Sequence, residues 1–194
     1  MDKILKISKK YKLHIVEDAC HAIIAQDKKK RFAGNFGITG CFSMHPLKNL
    51  NVWGDGGIIT TNNKKIYEKL KLLRNHGLID RNNCKIYGYN SRLDTIQAAV
   101  GLEMIKKIKY ITKRRIDNAS YLNKNLKKII QIKNIEENVN AKTVFHLYQF
   151  YCIKRDQLNN YLRKNKIDSK IHYPIPLHLH DAAKKFKYKH GDYP

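Results

Sequence analysis

Cys41-Phe42-Ser43-Met44-His45-Pro46-Leu47-Lys48-Asn49-Leu50-Asn51-Val52-Trp53-Gly54-Asp55-Gly56-Gly57 is a short apolar run that ends in a serine, passes through His-Pro to one lysine and closes on a glycine-rich turn. Upstream, Leu13-His14-Ile15-Val16-Glu17-Asp18 is an apolar strand pattern ending on two carboxylates. A helix feeding a strand whose acidic end carries function is half of a βαβ unit, which marks an α/β domain. A lysine on a tight turn and an aspartate at a strand's carboxyl end are the pair that pyridoxal phosphate (PLP) chemistry requires. The amine forms the Schiff base, and the carboxylate keeps the pyridinium nitrogen protonated so that the ring accepts electrons. Each residue also has an ordinary reading. One lysine among 39 Lys and Arg residues is a solvated charge, and an Asp at a strand end is a turn or helix cap.

Outward from that stretch the hydrophobic pattern stays α/β. Residues 2–12 place Ile4, Leu5, Ile7 and Tyr11 on one side of a helix, and residues 13–17 follow as a strand. Residues 18–37 read as a loop or short helix with a charged turn at Asp27-Lys28-Lys29-Lys30-Arg31. Residues 38–43 and 57–61 read as strands, the second rich in β-branched side chains. Residues 64–74 read as a helix with Ile66, Tyr67, Leu70 and Leu73 facing inward, and residues 80–90 as a polar loop. From Arg92 to about Leu126 the pattern is helical, and its length predicts a bend near Tyr110-Ile111. Residues 144–153 alternate as a strand, 156–165 as a helix and 168–173 as another strand, the opening of a small α+β domain.

At 194 residues the chain is long enough to bury a core, and 42% apolar content is that of a globular protein. The formal charge of +23 read alone suggests a polyanion partner such as nucleic acid or an acidic membrane. The lysines, however, are scattered, and no nucleic-acid motif accompanies them. The bias therefore reads as compositional, with attraction to a phosphate-bearing substrate as its consequence. Four cysteines at 20, 41, 84 and 152 lack metal-ligand spacing, and Cys20 and Cys41 read as small core residues. Disulfides are not implied, which suits a reducing cytoplasm. The N-terminal stretch lacks a signal-peptide core, and no apolar run reaches membrane-spanning length.

Seven motifs occur in order: Glu17-Asp18-Ala19-Cys20-His21-Ala22, Gly34-Asn35-Phe36-Gly37, Phe42-Ser43-Met44-His45-Pro46-Leu47-Lys48-Asn49, Gly54-Asp55-Gly56-Gly57, Arg74-Asn75-His76-Gly77, Gly88-Tyr89-Asn90-Ser91-Arg92 and Ile171-His172-Tyr173-Pro174. Over nearly the whole chain this resembles the DegT/DnrJ/EryC1/StrS family of sugar aminotransferases, which have the aspartate aminotransferase type of fold. The resemblance implies an α/β fold. Residues 1–110 would be the later part of the large PLP-binding domain, a three-layer αβα arrangement, and residues 111–194 the start of a smaller α+β domain. It implies PLP as cofactor, a keto sugar linked to a nucleotide as substrate, an amino acid donor such as glutamate, and a homodimer with a shared active site. A related branch has histidine in place of the lysine and dehydrates its substrate, so Lys48 argues for transamination.

The resemblance also implies roles. Lys48 would be the Schiff-base lysine, its amine favoured in the neutral form beside a cationic cofactor and free afterwards to shuttle a proton between cofactor and substrate carbons. Asp18 would pair with the pyridine nitrogen. His21 would approach the ring and its 3-oxygen; otherwise it caps a turn. Ser43, five residues before Lys48, would bind the cofactor phosphate; otherwise its hydroxyl serves a turn. Asn90 would reach the phosphate in the neighbouring subunit, whereas read alone it is a loop residue. Arg92 is either a helix-start surface residue or part of that anion site. His45 and His172 are candidates for substrate contact and equally for packing, and Gly54, Gly56 and Gly57 would let the backbone turn beside the cofactor.

Members of the family are about twice this length, and the part with no counterpart here is mainly N-terminal. It carries the first phosphate cradle and the aromatic residue stacked on the ring. The chain is therefore expected to be a fragment, a split-gene half that pairs with a complementary N-terminal half, or a decayed copy. An incomplete sheet would present an open edge prone to association, so the alternative to an enzyme is an interaction module.

Overall fold

The computed structural model describes residues 1–135 and 140–193. The chain divides into two compact units, Met1–Lys128 with Asn134–Gln149, and Ile129–Lys133 with Phe150–Pro194.

The first unit opens with α1 (Asp2–Tyr11), closed by Lys12 in the left-handed conformation. The chain then enters β1 (Val16–Asp18), crosses to a parallel β2 (Thr39–Ser43) and returns as an antiparallel β3 (Gly57–Thr60), giving the order β1-β2-β3. Register pairs Asp18 with Cys41 and Ser43 with Gly57, so the functional ends of β1 and β2 lie at one end of the sheet. α2 (Lys64–Arg74) starts at Asn63, whose side chain accepts from the Ile66 N–H at 3.1 Å, an ordinary N-cap. α3 (Thr95–Leu126) is one unbroken helix of 32 residues. It is not interrupted at Tyr110-Ile111, where no proline stands to remove a hydrogen bond. The core is Met44, Leu50, Val52 and Ile108, with Ile23, Ile24, Ile58, Leu93 and Met104 packed on it. The lysine-bearing turn is thus wedged between β3 and α3.

The second unit holds Ile132 and Lys133 of β4 (Ile132–Asn134), which pairs with β5 (Phe150–Cys152), together with α4 (Arg155–Lys164) and two tight helical turns at Leu177–Leu179 and Asp181–Phe186. Two expected strands are corrected here. Of residues 144–153 only Phe150–Cys152 is a strand. Phe145 has a positive φ of 45°, which ends extended backbone, and the Phe145 and His146 carbonyls accept from Arg115 instead of from a ladder. Residues 168–173 form no strand. Tyr173 has φ of 50°, and Pro174 and Pro176 lack the N–H a ladder needs. β4 carries too short a pattern to announce itself.

The expected apolar helix faces are also less covered than their periodicity implies. Ile4, Ile7, Tyr11, Tyr67, Ile96 and Tyr121 are exposed, and Cys20 and Cys41 are half-buried rather than core. Periodicity says which side of a helix is apolar; only a neighbouring layer buries it. Among the described residues no helix is long and apolar enough to cross a membrane.

Candidate active site

Asp18 closes β1 with its carboxylate exposed. Its Oδ1 accepts the Cys20 N–H at 3.1 Å. Hydrogen bonds from the Cys20 thiol and amide hold this carboxyl below the usual range, and the positive charges of His21 and Lys48 pull the same way. Burial, and then the Asp18 carboxylate, push the Cys20 thiol up, so it stays protonated and able to donate. Its Sγ lies 3.7 Å from the Cys41 carbonyl. His21 is exposed and stacks obliquely on His146, ring centroids 4.2 Å apart.

Ser43 ends β2, and its Oγ accepts the His45 N–H at 3.3 Å. His45 Nδ1 in turn accepts the Leu47 N–H at 3.2 Å, and the His45 carbonyl accepts the Lys48 N–H at 2.8 Å. Asn51 donates to the Lys48 carbonyl at 3.1 Å. Past the lysine the chain plunges inward. Asn49 and Leu50 are buried, and Asn49 Nδ2 donates to the Val144 carbonyl at 2.8 Å, 95 residues away in sequence. Val52 N–H then returns to the Met44 carbonyl at 2.9 Å. Lys48, half-buried, is therefore held by its own turn on one side and by a buried anchor on the other.

The glycines after the lysine act differently from expectation. Neither Gly54 nor Gly56 has a positive φ. They are small because α3 and the segment before it come close: a Cβ on Gly56 would meet Leu93 and Val52 at 3.1 Å, and one on Gly54 would meet Gln97 at 3.0 Å. Gln97 also fixes this corner, its Oε1 accepting the Trp53 N–H at 2.7 Å.

Asp18, His21 and Lys48 thus share one electrostatic neighbourhood at the sheet end that also carries Ser43 and His45. Asn90 sits on a separate loop, bridged to Asn75 and exposed beside Tyr89. Arg92 Nη1 donates to the Asn75 side chain at 3.3 Å, which makes it part of that loop's frame. His172 belongs to the second unit, where its exposed ring lies 4.1 Å from that of Tyr173. Three participants go unnoticed in the sequence. Cys20 reads there as a core residue, Asn49 is an unassigned letter within a motif, and His146 has no local signal because only the fold brings it to His21.

The sequence profile of the DegT/DnrJ/EryC1/StrS aminotransferase family matches residues 1–194. The dTDP-3-amino-3,4,6-trideoxy-alpha-D-glucose transaminase of Streptomyces venezuelae is 33% identical over 94% of the chain and 48% of its own length. A UDP-N-acetyl-3-dehydro-alpha-D-glucosamine 3-aminotransferase of Acidithiobacillus ferrooxidans is 35% identical over 92% and 48%. The crystal structure of S. venezuelae DesV with a ketimine intermediate superposes with a TM-score of 0.93 at 33% identity, covering 99% of this chain and 52% of that one. The chain spans about half the length of the curated relatives it matches.

Proposed function

We infer that this chain, which belongs to the DegT/DnrJ/EryC1/StrS aminotransferase family, supplies the lysine-bearing half of a PLP site in an enzyme that transfers an amino group to a keto sugar carried by a nucleotide. The observation that carries this reading is the register of β1 on β2, which sets the exposed Asp18 carboxylate at the same end of the sheet as Ser43 and the turn that bears Lys48. An amine, a fixed carboxylate and a hydroxyl at one sheet end are the donor set for a molecule with an aldehyde, a basic ring nitrogen and a phosphate. Such a cofactor, when bound, supplies a carbonyl for the amine and a ring that withdraws electrons.

Asp18 would hold a proton on the ring nitrogen through a charge-assisted hydrogen bond. Lys48 Nζ would hold the cofactor covalently, and once released would take a proton from one carbon and return it to another. The buried Asn49 anchor holds the backbone next to that lysine, which would limit where the amine can reach. Ser43 Oγ would bind phosphate, and Asn90 would do so from a neighbouring subunit. His21 would pack at the ring, and His45 and His172 would meet the sugar nucleotide. Glutamate as donor, a homodimer and a cytoplasmic setting complete the reading.

The test is cofactor loading. PLP is added to the protein, the visible absorbance recorded, the complex reduced with borohydride and the modified residue mapped. A single adduct on Lys48 supports the assignment; label scattered over many lysines sinks it. A second reading is favoured by the exposed apolar faces of α1, α2 and α3. In it the chain is catalytically incomplete alone and acts as an interaction module for a complementary N-terminal half or a homologue. Coexpression and size exclusion separate the two, since a monomer indifferent to such partners counts against this reading.

A further inference from the structure

Glu17 and Asp18 are adjacent on β1, so their side chains leave opposite faces of the strand. Asp18 faces the candidate site. On the other face the Glu17 carboxylate collects three backbone N–H groups from one turn: Oε2 accepts from Gly34 at 2.8 Å, and Oε1 accepts from Phe36 at 2.6 Å and Gly37 at 2.7 Å. That turn leads directly into β2, and the Ile38 N–H bonds back to the Ile15 carbonyl at 2.8 Å. The crossover from β1 to β2 is thereby tied to β1 at the residue next to Asp18.

The fit around this latch is close. A Cβ on Gly37 would strike the Ile15 carbonyl, and Gly34, with φ of 85°, lies against the Phe42 ring. A carboxylate is the group that suits three converging donors, because it is acceptor-only and can serve several N–H groups at once. The same carboxylate thus sets the register in which Asp18 opposes Cys41. A slip of one residue would turn Asp18 to the wrong face.

We propose that Glu17 is a positioning residue for the cofactor: by latching residues 34–37 it fixes the orientation in which Asp18 meets the ring nitrogen. This rests on the reading of Asp18 given above. Glu17 touches neither cofactor nor substrate; it acts through the strand.

The experiment compares Glu17→Gln, Asp18→Asn and the unaltered protein, each saturated with PLP. The readouts are PLP affinity, the position of the visible absorbance band, and the thermal midpoint without cofactor. The amide of Gln brings a donor to a site built for acceptors. Glu17→Gln is therefore expected to weaken PLP binding about tenfold and to move the band in the direction of Asp18→Asn. A lowered thermal midpoint with the band unmoved at saturation would make Glu17 merely structural and overturn the proposal. If Glu17→Gln does not fold, amide exchange in the unaltered protein decides. By linkage, PLP should slow exchange at Gly34, Phe36 and Gly37, and unchanged rates there would overturn the role. If the unaltered protein takes no PLP on Lys48, or Asp18→Asn leaves the band in place, the cofactor reading itself fails, and the role of Glu17 with it.

Discussion

The Lys48 turn and the His172 segment carry equally distinctive sequences, yet the structure treats them differently. Residues 43–57 are interlocked. Met44, Asn49, Leu50 and Val52 are buried, and hydrogen bonds within the turn, to Gln97 of α3 and to Val144 close its bends. Residues 171–178 have no buried member, and His172 meets Tyr173, its own neighbour. The whole second unit shows the same contrast, with no buried residue among those described. A motif whose chemistry depends on placing one amine is held by packing. A motif expected to reach a substrate keeps its side chains outward. A distinctive sequence therefore does not by itself imply a rigid site.

The largest break in this comparison is chemical. Lys48→Ala should abolish the borohydride-trapped PLP adduct and lower transamination by about a thousandfold or more in the complete enzyme; undiminished turnover would remove Lys48 from the chemistry. His172→Ala should leave the adduct in place.

Packing comes next. Leu50→Ala empties a buried site and should cost about 3 kcal/mol, read from the urea midpoint. The half-buried Leu162 of α4 should cost under about 1 kcal/mol on the same change. Equal losses would show the second unit to be as tightly packed as the first. Asn49→Ala removes the buried bond to Val144 and should cost about 1–3 kcal/mol. With PLP bound it should also slow adduct formation at Lys48; a stability loss with trapping kinetics unchanged would deny Asn49 any part in placing the amine.

The smallest effect is pH-dependent. The Asp18 carboxyl is held below its ordinary range, so its contribution is present above the unfolded value of about 3.9 and is lost as pH falls through the folded value. Asp18→Asn should flatten the acid limb of the stability curve below about pH 5. The difference should shrink in salt, because the group is exposed. An unchanged acid limb would show that the bonds from Cys20 confer no preference on the ionised form.

Much of this protein was legible as letters. Local periodicity placed α1, β2, β3, α2 and α4 within a residue or two, because each is decided by its own side chains. The motif order around Lys48 named the family. What failed were features set by distant residues. The strand expected at 144–153 shrank because Arg115 and Asn49 take its carbonyls. Gly54 and Gly56, expected to let the backbone turn, have no positive φ and leave room for Gln97 and Leu93.

The sequence by itself determined that there is one candidate amine, that a strand runs into two adjacent carboxylates, and that the apolar faces exist. Those follow from residue type and spacing, which are properties of short segments. Only the tertiary structure decided that Glu17 and Asp18 do different work on opposite faces of β1, that Asn49 anchors the lysine turn to Val144, and that His146 lies on His21. Each of those depends on two backbones meeting across long stretches of chain, and hydrogen-bond geometry at such meetings is fixed by packing that no single segment encodes.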